Sequence, residues 1–489
     1  MKSKHLSALV LAAVIILSAF VSCGEAASNA PAETTAGAAA AETAEDTSAV
    51  IPETEPRYQQ PEISDLEGFV MNVATSSWIN CDEMFFPESL NGDIVNDLLY
   101  NSIITVEENN NADVNLVLLP DYGSVTSAVK KAATAGSNDY QLSYNHDNQT
   151  VANALKGCFI DLNGVGFDFD APWWTDTRES FTVDGKMTFA SNYLTYSGIY
   201  LGFVIAYNKT LTENMGIEVP YQSIFDGRWY MSDFISLIKD TNTDLNGDGA
   251  IKPSDDLFGF TTTDLGLVNV QVSLGATILS KDGDGMLQYT PDVDRIVNML
   301  DKFEKLMENG FRADDGISYG ATYFMKDRVL FDYVQIRVIA EELRNTDMSF
   351  GFIPCPKLDE SQEKYVSGAF DVFWAIPVPA YDDADKIRIL LENISYNSFY
   401  DVVPAVYETT LKVKFSESEQ DAQTFEIIRD SMFVDSGYAF NEQSSASLGK
   451  MVRLLSNTDS ASAASFCEKY HDKAVAAIEK INGTYENLG

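Results

Sequence analysis

An α/β body of two lobes is what the sequence predicts. Short apolar runs of strand length alternate with amphipathic stretches of helical period, which is the rhythm of a largely parallel sheet. Once a polar N-terminal tract is set aside about 430 residues remain, enough for two domains. A hydrophobic content of 45% with 11% aromatics is ample for two cores.

Taken in order, Phe69 to Thr75, Asp113 to Leu119 and Tyr140 to Tyr144 read as strands. Asp93 to Glu107, Val125 to Ala135 and Thr150 to Lys156, between and after them, read as helices. Ser232 to Asp240 reads as a further helix, followed by an acidic turn and the apolar run Leu257 to Phe260. Thr290 and Pro291 supply an N-cap and first-turn pair for a helix whose apolar stripe is Val293, Ile296, Val297, Leu300, Phe303 and Met307, closed by Gly310. There is no internal repeat and no heptad run.

The N-terminus indicates where the chain works. Lys2 and Lys4 precede an apolar segment, Leu6 to Val21, that falls short of the roughly 20 residues of a membrane span. Residues 1–23 read as a lipoprotein signal peptide: Phe20, Val21 and Ser22 before Cys23 resemble a bacterial lipobox, with Phe20 in place of the usual leucine. Cys23 is then the lipidated residue that anchors the chain to the cell membrane. Ordinary secretory cleavage near Ala26 and Ala27 is the alternative. From Gly24 to Pro61 the chain has no Leu, Phe, Met or Trp and seven acidic residues against Arg57. Such an Ala/Thr/Glu/Pro tract buries too little apolar surface to offset its ordering entropy, so residues 24–61 are expected to be a disordered linker.

The whole chain has 33 basic and 73 acidic residues, a net charge of −40, and loses Lys2 and Lys4 on maturation. A surface of that sign repels nucleic acid and disfavours anionic ligands, which leaves neutral solutes. Cys81, Cys158, Cys355 and Cys467 are far apart and form no CxxC. Extracellular disulfides are open to them, but buried thiols are the preferred reading.

The sharpest chemical motif is DLNGDGAIKPSD, Asp244 to Asp255. It fits a calcium loop of the EF-hand type, with Asp244, Asn246 and Asp248 at positions one, three and five, Gly249 at the turn, the Ala250 carbonyl at seven and Asp255 at twelve. Lys252 departs from the pattern at nine, and Asp255 is shorter than the usual glutamate. A structural Ca2+ is expected; the alternative is an Asx-rich turn without metal. Gly316 to Gly320, GISYG, matches a nucleophile elbow in letters but lacks the hydrophobic strand before it. With His146 and His471 as the mature chain's histidines, a triad or a zinc hydrolase is hard to assemble. The abundant carboxylates leave a glycosidase pair open, although no acid is singled out.

Three longer blocks carry a family resemblance. VIAYNKTLTENMGIEVP, then GRWYMSDFISLIKDTNTDLNGDG and DLFGF, are followed by FMKDRVLFDYVQIRVIAEELR with FGFIPCPKLDESQEKYVSGAFDVFWAIP, and finally by VPAVYETTLKVKF. Together, over roughly Gly198 to Asp435, they resemble the bacterial extracellular solute-binding proteins of ABC importers, family 1, the group related to maltose-binding protein. Asp327 and Arg328 replace the Gly-Lys that often opens the second block.

The resemblance implies a two-lobed periplasmic-binding-protein-like fold of the class II type, with hinge strands and a ligand cleft. By analogy the crossings lie near Asn192 to Leu201 and Gly368 to Pro377, lobe one combines 66–195 with 376–430, and lobe two 200–370 with 431–489. Ligands of open α/β sheets sit beyond the carboxyl ends of the strands. That rule and the analogy together nominate Trp78, Tyr144, Asn145, Trp173, Trp174, Tyr193, Tyr196, Asp332, Arg337, Asp371 and Trp374 as ligand-binding residues, each with a place in the core as its alternative. Trp229 reads as a helix-entry anchor. Aromatic faces beside Asp, Asn and Arg suit sugars.

The expected function is therefore non-catalytic. A tethered monomer captures a small-molecule solute, a carbohydrate or oligosaccharide, by lobe closure and delivers it to the transmembrane subunits of an ABC permease. The alternatives are a secreted glycan-active hydrolase and a peptide-binding or adhesion lipoprotein; a dockerin-like module needs a tandem pair of loops, and one is present.

Overall fold

The computed structural model describes residues 56–175, 177–313, 319–343, 346–408, 418–444 and 446–488. The signal segment, Cys23, the linker up to residue 55, most of the GISYG motif and the end of the VPAVYETTLKVKF block lie outside them. Arg57–Gly489 is one compact unit.

The three parallel strands of its first sheet form within two residues of where the sequence places them. The strand Phe69–Ser76 pairs in parallel with Ala112–Leu119, from Phe69↔Ala112 through Ser76↔Leu119, and on its other side with Leu142–His146. Val372–Ala375 adds an antiparallel edge beside Leu142–His146. Local chemistry sets the ends of the helices between. Asp93 accepts from the Val95 and Asn96 N–H groups to open Ile94–Asn110, and Asp121 accepts from Ser124 N–H to open Tyr122–Ala135. Gly136, at φ 66°, ends the latter.

The second sheet runs in the order Phe350–Ile353, Phe203–Asn208, Val329–Gln335, Phe258–Thr262, Gly310–Arg312. Its three central strands are buried at every residue, as expected of strands covered on both faces. Trp229 anchors the next helix, Met231–Leu237, by donating its indole N–H to the Pro354 carbonyl at 3.2 Å. The helix Val293–Met307 buries Ile296, Met299, Leu300, Phe303 and Leu306. Its N-cap is Asp292, not Thr290: the Asp292 carboxylate accepts from Arg295 N–H, while the Thr290 hydroxyl donates to Ser280.

Among the described residues, a further segment joins the two expected crossings between the sheets. Ala190 bridges to Trp374 and Gly202 to Ala369, which pins the first crossing to the second. Ser367–Gly368 then pairs in parallel with Met432–Phe433, a third crossing that the sequence reading missed.

Three boundaries are corrected. The helix Glu419–Asp430, assigned to lobe one, packs Phe425 and Ile428 into the second-lobe core with Val204, Phe350 and Phe352, and Lys209 pairs with Asp421 at 2.9 Å. Conversely Ser436–Ser444, assigned to lobe two, packs on Asp147–Ala154 of the first lobe. The final helix, Ala463–Glu486, packs on the second-lobe helix Val293–Met307 and reaches back to Thr188, whose hydroxyl meets Tyr485 Oη at 3.2 Å. Arg57 to Pro61, expected in the linker, are docked: Arg57 pairs with Asp401 at 2.6 Å, and Tyr58 donates to Asp168 at 3.0 Å and sets its ring edge-on to Trp173. A charged and an aromatic side chain with matching partners overcome a composition that otherwise favours disorder. Cys81, Cys158, Cys355 and Cys467 are free and buried. Among the described residues no helix is long and apolar enough to cross a membrane.

Candidate functional site: a cavity at the crossings

The three crossings meet around a cavity of about 270 Å³. One wall is Trp174, Thr175 and the start of the first crossing, Ser191 to Tyr193. The other is Ala369, Asp371 and the end of Glu419–Asp430 with the third crossing, Arg429 to Val434. The mixture is of the kind that holds small polar molecules, with aromatic faces beside a few placed hydrogen-bonding groups.

Trp174 is half-buried, with its ring 4.7 Å from Phe169 and 6.0 Å from Trp374, and its indole N–H meets no acceptor among the described residues. Across the cavity Arg429 donates to Asp430 at 2.7 Å and lies 5.6 Å over the Tyr407 ring. Asp371 is buried; its carboxylate accepts from the Ser191 hydroxyl, from Ser197 Oγ at 2.5 Å and from Val372 N–H at 2.7 Å. Burial pushes its pKa up to about 6, against the pull of those hydrogen bonds.

Of the eleven residues nominated from the sequence, Trp174, Tyr193 and Asp371 come together here. Four others are core. Trp173 packs between Tyr58 and Tyr396, Trp374 donates to Asn192 Oδ1 at 3.0 Å, Tyr144 bonds Thr195 at 3.0 Å, and Asn145 donates to the Tyr122 carbonyl at 3.1 Å. Asp332 is buried mid-strand between Ala206 and Thr261, with no donor to either oxygen among the described residues. Arg337 pairs with Glu341 at 2.6 Å. Tyr196 lines a different groove, with Glu83, Asp93 and Tyr200.

Trp78 stands on an open shelf at the carboxyl ends of the first-lobe strands, with its ring 5.7 Å from Tyr122 and 4.4 Å from His146. His146 Nδ1 is 2.6 Å from the buried Asp147 carboxylate. Directly after Trp78 the backbone turns through Ile79 at φ 49° and Asn80 at φ 60°. A β-branched residue in the left-handed region costs on the order of 1–3 kcal/mol, a strain characteristic of functional turns.

Ser191, Asn192, Thr175, Arg429 and Asp430 were missed, as were Tyr122 and His146. The last two were findable, because His146 ends a strand and Tyr122 closely follows one, near the carboxyl ends where Trp78 also stands. Arg429 and Asp430 carry no sequence signal, since tertiary packing alone brings their helix to the crossings.

The acidic turn holds itself together. Asp244 accepts from Gly247 and Gly249 N–H, Asn246 from Asp248 N–H, and Asp248 from Ala250 N–H and from the Lys252 ammonium at 2.7 Å. The carboxylate folded back across it is Asp256, which accepts from Leu245 and Lys252 N–H; Asp255 meets Ser254 Oγ at 3.0 Å. Among the described residues no three His, Cys, Asp or Glu converge as a metal centre. Asp244, Asn246, Asp248 and the Ala250 carbonyl still offer the hard oxygens that calcium takes.

No family model matches the sequence, and a search of curated proteins finds no match. Solved structures do match. The maltose/maltodextrin-binding domain MalE from Bdellovibrio bacteriovorus, bound to maltotriose, aligns over 83% of this chain and 100% of its own at 15% identity, with a TM-score of 0.50. The GacH receptor of Streptomyces glaucescens, known unliganded and with acarbose, aligns over 84% and 99% at 14% identity and 0.53. UspC of M. tuberculosis aligns over 84% and 100% at 14% identity and 0.52. At such identities the likeness speaks to fold, and the chain has the two-lobed α/β fold of the MalE-like periplasmic binding proteins.

Proposed function

We propose that this chain is the substrate-binding lipoprotein of an ABC importer, without enzymatic activity. It captures a neutral carbohydrate by lobe closure, is held outside the cell by a lipid on Cys23, and delivers its solute to the membrane permease. The observation that carries the reading is the cavity where the three crossings meet, with Trp174 and Tyr193 beside Asp371, Ser191 and Asn192. Aromatic faces stack on the C–H faces of sugars, and the flanking polar groups meet hydroxyls. A volume of about 270 Å³ suits one or two rings, so a longer oligosaccharide would extend out of it. The solved neighbours with maltotriose and acarbose support the sugar class, and a net charge of −40 disfavours anionic solutes. A ligand that contacts both lobes favours the closed state by its differential affinity.

A thermal-shift and calorimetry screen of the purified protein against neutral glycans, polyols and oligopeptides tests the reading. Saturable binding of a glycan with no product formed is expected. Response to peptides alone would overturn the sugar assignment, and sustained release of cleaved glycan would make the protein a hydrolase.

We further propose that the Asp244–Asp255 turn binds a structural Ca2+, which would displace the Lys252 ammonium from Asp248. Saturating calcium at about 100 times its Kd should then stabilise the fold by about 2.7 kcal/mol, and a chelator should reverse the gain. Replacing Lys252 with glutamine should tighten the site by removing the competing cation. A melting temperature indifferent to calcium and chelator in both proteins would leave the turn as an Asx-rich structure closed by Lys252.

A further inference from the structure

A chain of hydroxyls runs from the first-lobe sheet through both principal crossings. Tyr144 Oη lies 3.0 Å from Thr195 Oγ1, which is 2.8 Å from Ser197 Oγ, which is 2.5 Å from Asp371 Oδ1; the Ser191 hydroxyl bonds the other oxygen of the same carboxylate. Each hydroxyl has one proton, and an ionised carboxylate only accepts. Ser197 must therefore donate to Asp371, Thr195 to Ser197, and Tyr144 to Thr195. A single charge orders every proton in the chain. There is no slack around it either, since a Cβ on Gly198 would stand 3.1 Å from Asp371 Oδ2.

We propose that Asp371 is a positioning residue, whose negative charge orients this chain and thereby pins the first crossing, and the cavity wall it carries, to the second crossing and to the first-lobe sheet. It acts on bound solute through Ser191 and Thr195, which line the cavity, rather than as the main contact. This geometry stands on its own; its effect on affinity rests on the solute-binding reading.

Protonation undoes the arrangement while Asp371 stays buried: the serine hydrogen bonds hold its pKa down against burial, so their loss without exposure would raise it further and acid favours the unpinned crossing. A neutral Asp371 has its own proton to donate and fewer lone pairs to accept with, so one serine loses its acceptor and the chain no longer has one direction. The groups around it are Asp147, which opposes its ionisation, the Cys81 thiol, the Tyr144 and Tyr193 phenols, and Arg429 and Asp430 across the cavity. Burial places its titration near 6, inside an accessible range.

Hydrogen exchange read by mass spectrometry on the solute-free protein tests the pinning without a ligand. In wild type, the peptide spanning residues 191–201 should exchange about tenfold faster at about pH 5 than at about pH 7.5, after correction for intrinsic rates. Asp371→Asn, which keeps the shape but carries a donor, should exchange at the fast value at both. Equal protection of wild type and Asp371→Asn at about pH 7.5 would overturn the proposal. Should Asp371→Asn not fold, Ser197→Ala breaks the chain with the charge retained; loss of protection over the same peptide supports the proposal, and wild-type protection overturns it. With a glycan from the screen, affinity should fall about tenfold in wild type over the same pH interval and stay flat in Asp371→Asn. Absence of any bound glycan, with the exchange pattern intact, would count against the solute reading and leave the role of Asp371 standing.

Discussion

Trp374→Ala is expected to lower the unfolding free energy by about 3–5 kcal/mol, the usual cost of deleting a large buried aromatic, measured by urea or guanidinium titration. The side chain is buried, 5.6 Å from Phe167 and 6.0 Å from Trp174, and its backbone makes the bridge to Ala190. The resulting void would lie directly behind the cavity wall. Its indole also donates to Asn192 Oδ1, so truncation removes a donor from a residue of that wall as well as volume from the core. Trp374→Phe separates the two effects. It keeps most of the packing and loses the donor, so it should cost about 1–2 kcal/mol, the penalty of a weakened buried polar contact. Under the solute-binding reading both variants weaken binding through a displaced Asn192 and Trp174, with the alanine variant the weaker. A Trp374→Ala protein within about 1 kcal/mol of wild type that had nonetheless lost its solute would return Trp374 to the set of direct contacts proposed from sequence.

The contrast between Trp374 and Trp174 shows where sequence reasoning stops. Strand and helix positions in the first lobe were legible because period and capping residues are local: Asp93 starts its helix where the pattern begins, and Asp121 starts the next, one turn before Val125. The fold class followed from the alternation of those elements. Side-chain direction near the crossings is not local. Trp173 and Trp174 are adjacent, yet one is sealed against Tyr58 and Tyr396 and the other stands on the cavity wall. The same limit explains the helix Glu419–Asp430, because nothing local to those residues says which lobe buries Phe425 and Ile428. Arg429 and Asp430 were lost with it. The third crossing was invisible for a related reason, since Met432–Phe433 is two residues long and its partner lies more than sixty positions earlier.

Asp332 should behave as an internal source of instability that grows with pH. Both carboxylate oxygens are buried in the middle of the second sheet without a donor among the described residues, and burial pushes the pKa from an ordinary 3.8 up to about 8. The sign follows from which state holds the proton. Between 3.8 and 8 the unfolded chain has lost it and the folded chain keeps it, so stability falls as pH rises, by about 1.4 kcal/mol per pH unit and on the order of 4 kcal/mol by pH 7. Above 8 the folded protein carries the charge and the slope from this group ends. Asp371 and Asp435, also buried, titrate near 6 and add their own loss only below that value, so the interval from 6 to 8 belongs to Asp332 among these acids. Asp332→Leu should therefore melt well above wild type at about pH 8, and the two should converge toward about pH 4. Asp332→Asn, which removes the charge but leaves a buried amide to satisfy, should recover only part of the gain. Parallel stability curves for wild type and Asp332→Leu from about pH 6 to about pH 8 would mean that the carboxylate finds a partner in solution, and so would restore it as a candidate for contact with a bound solute. A buried acid kept neutral at such cost, on the central strand of the second sheet, is a feature that packing alone does not select, since leucine would fill the same space.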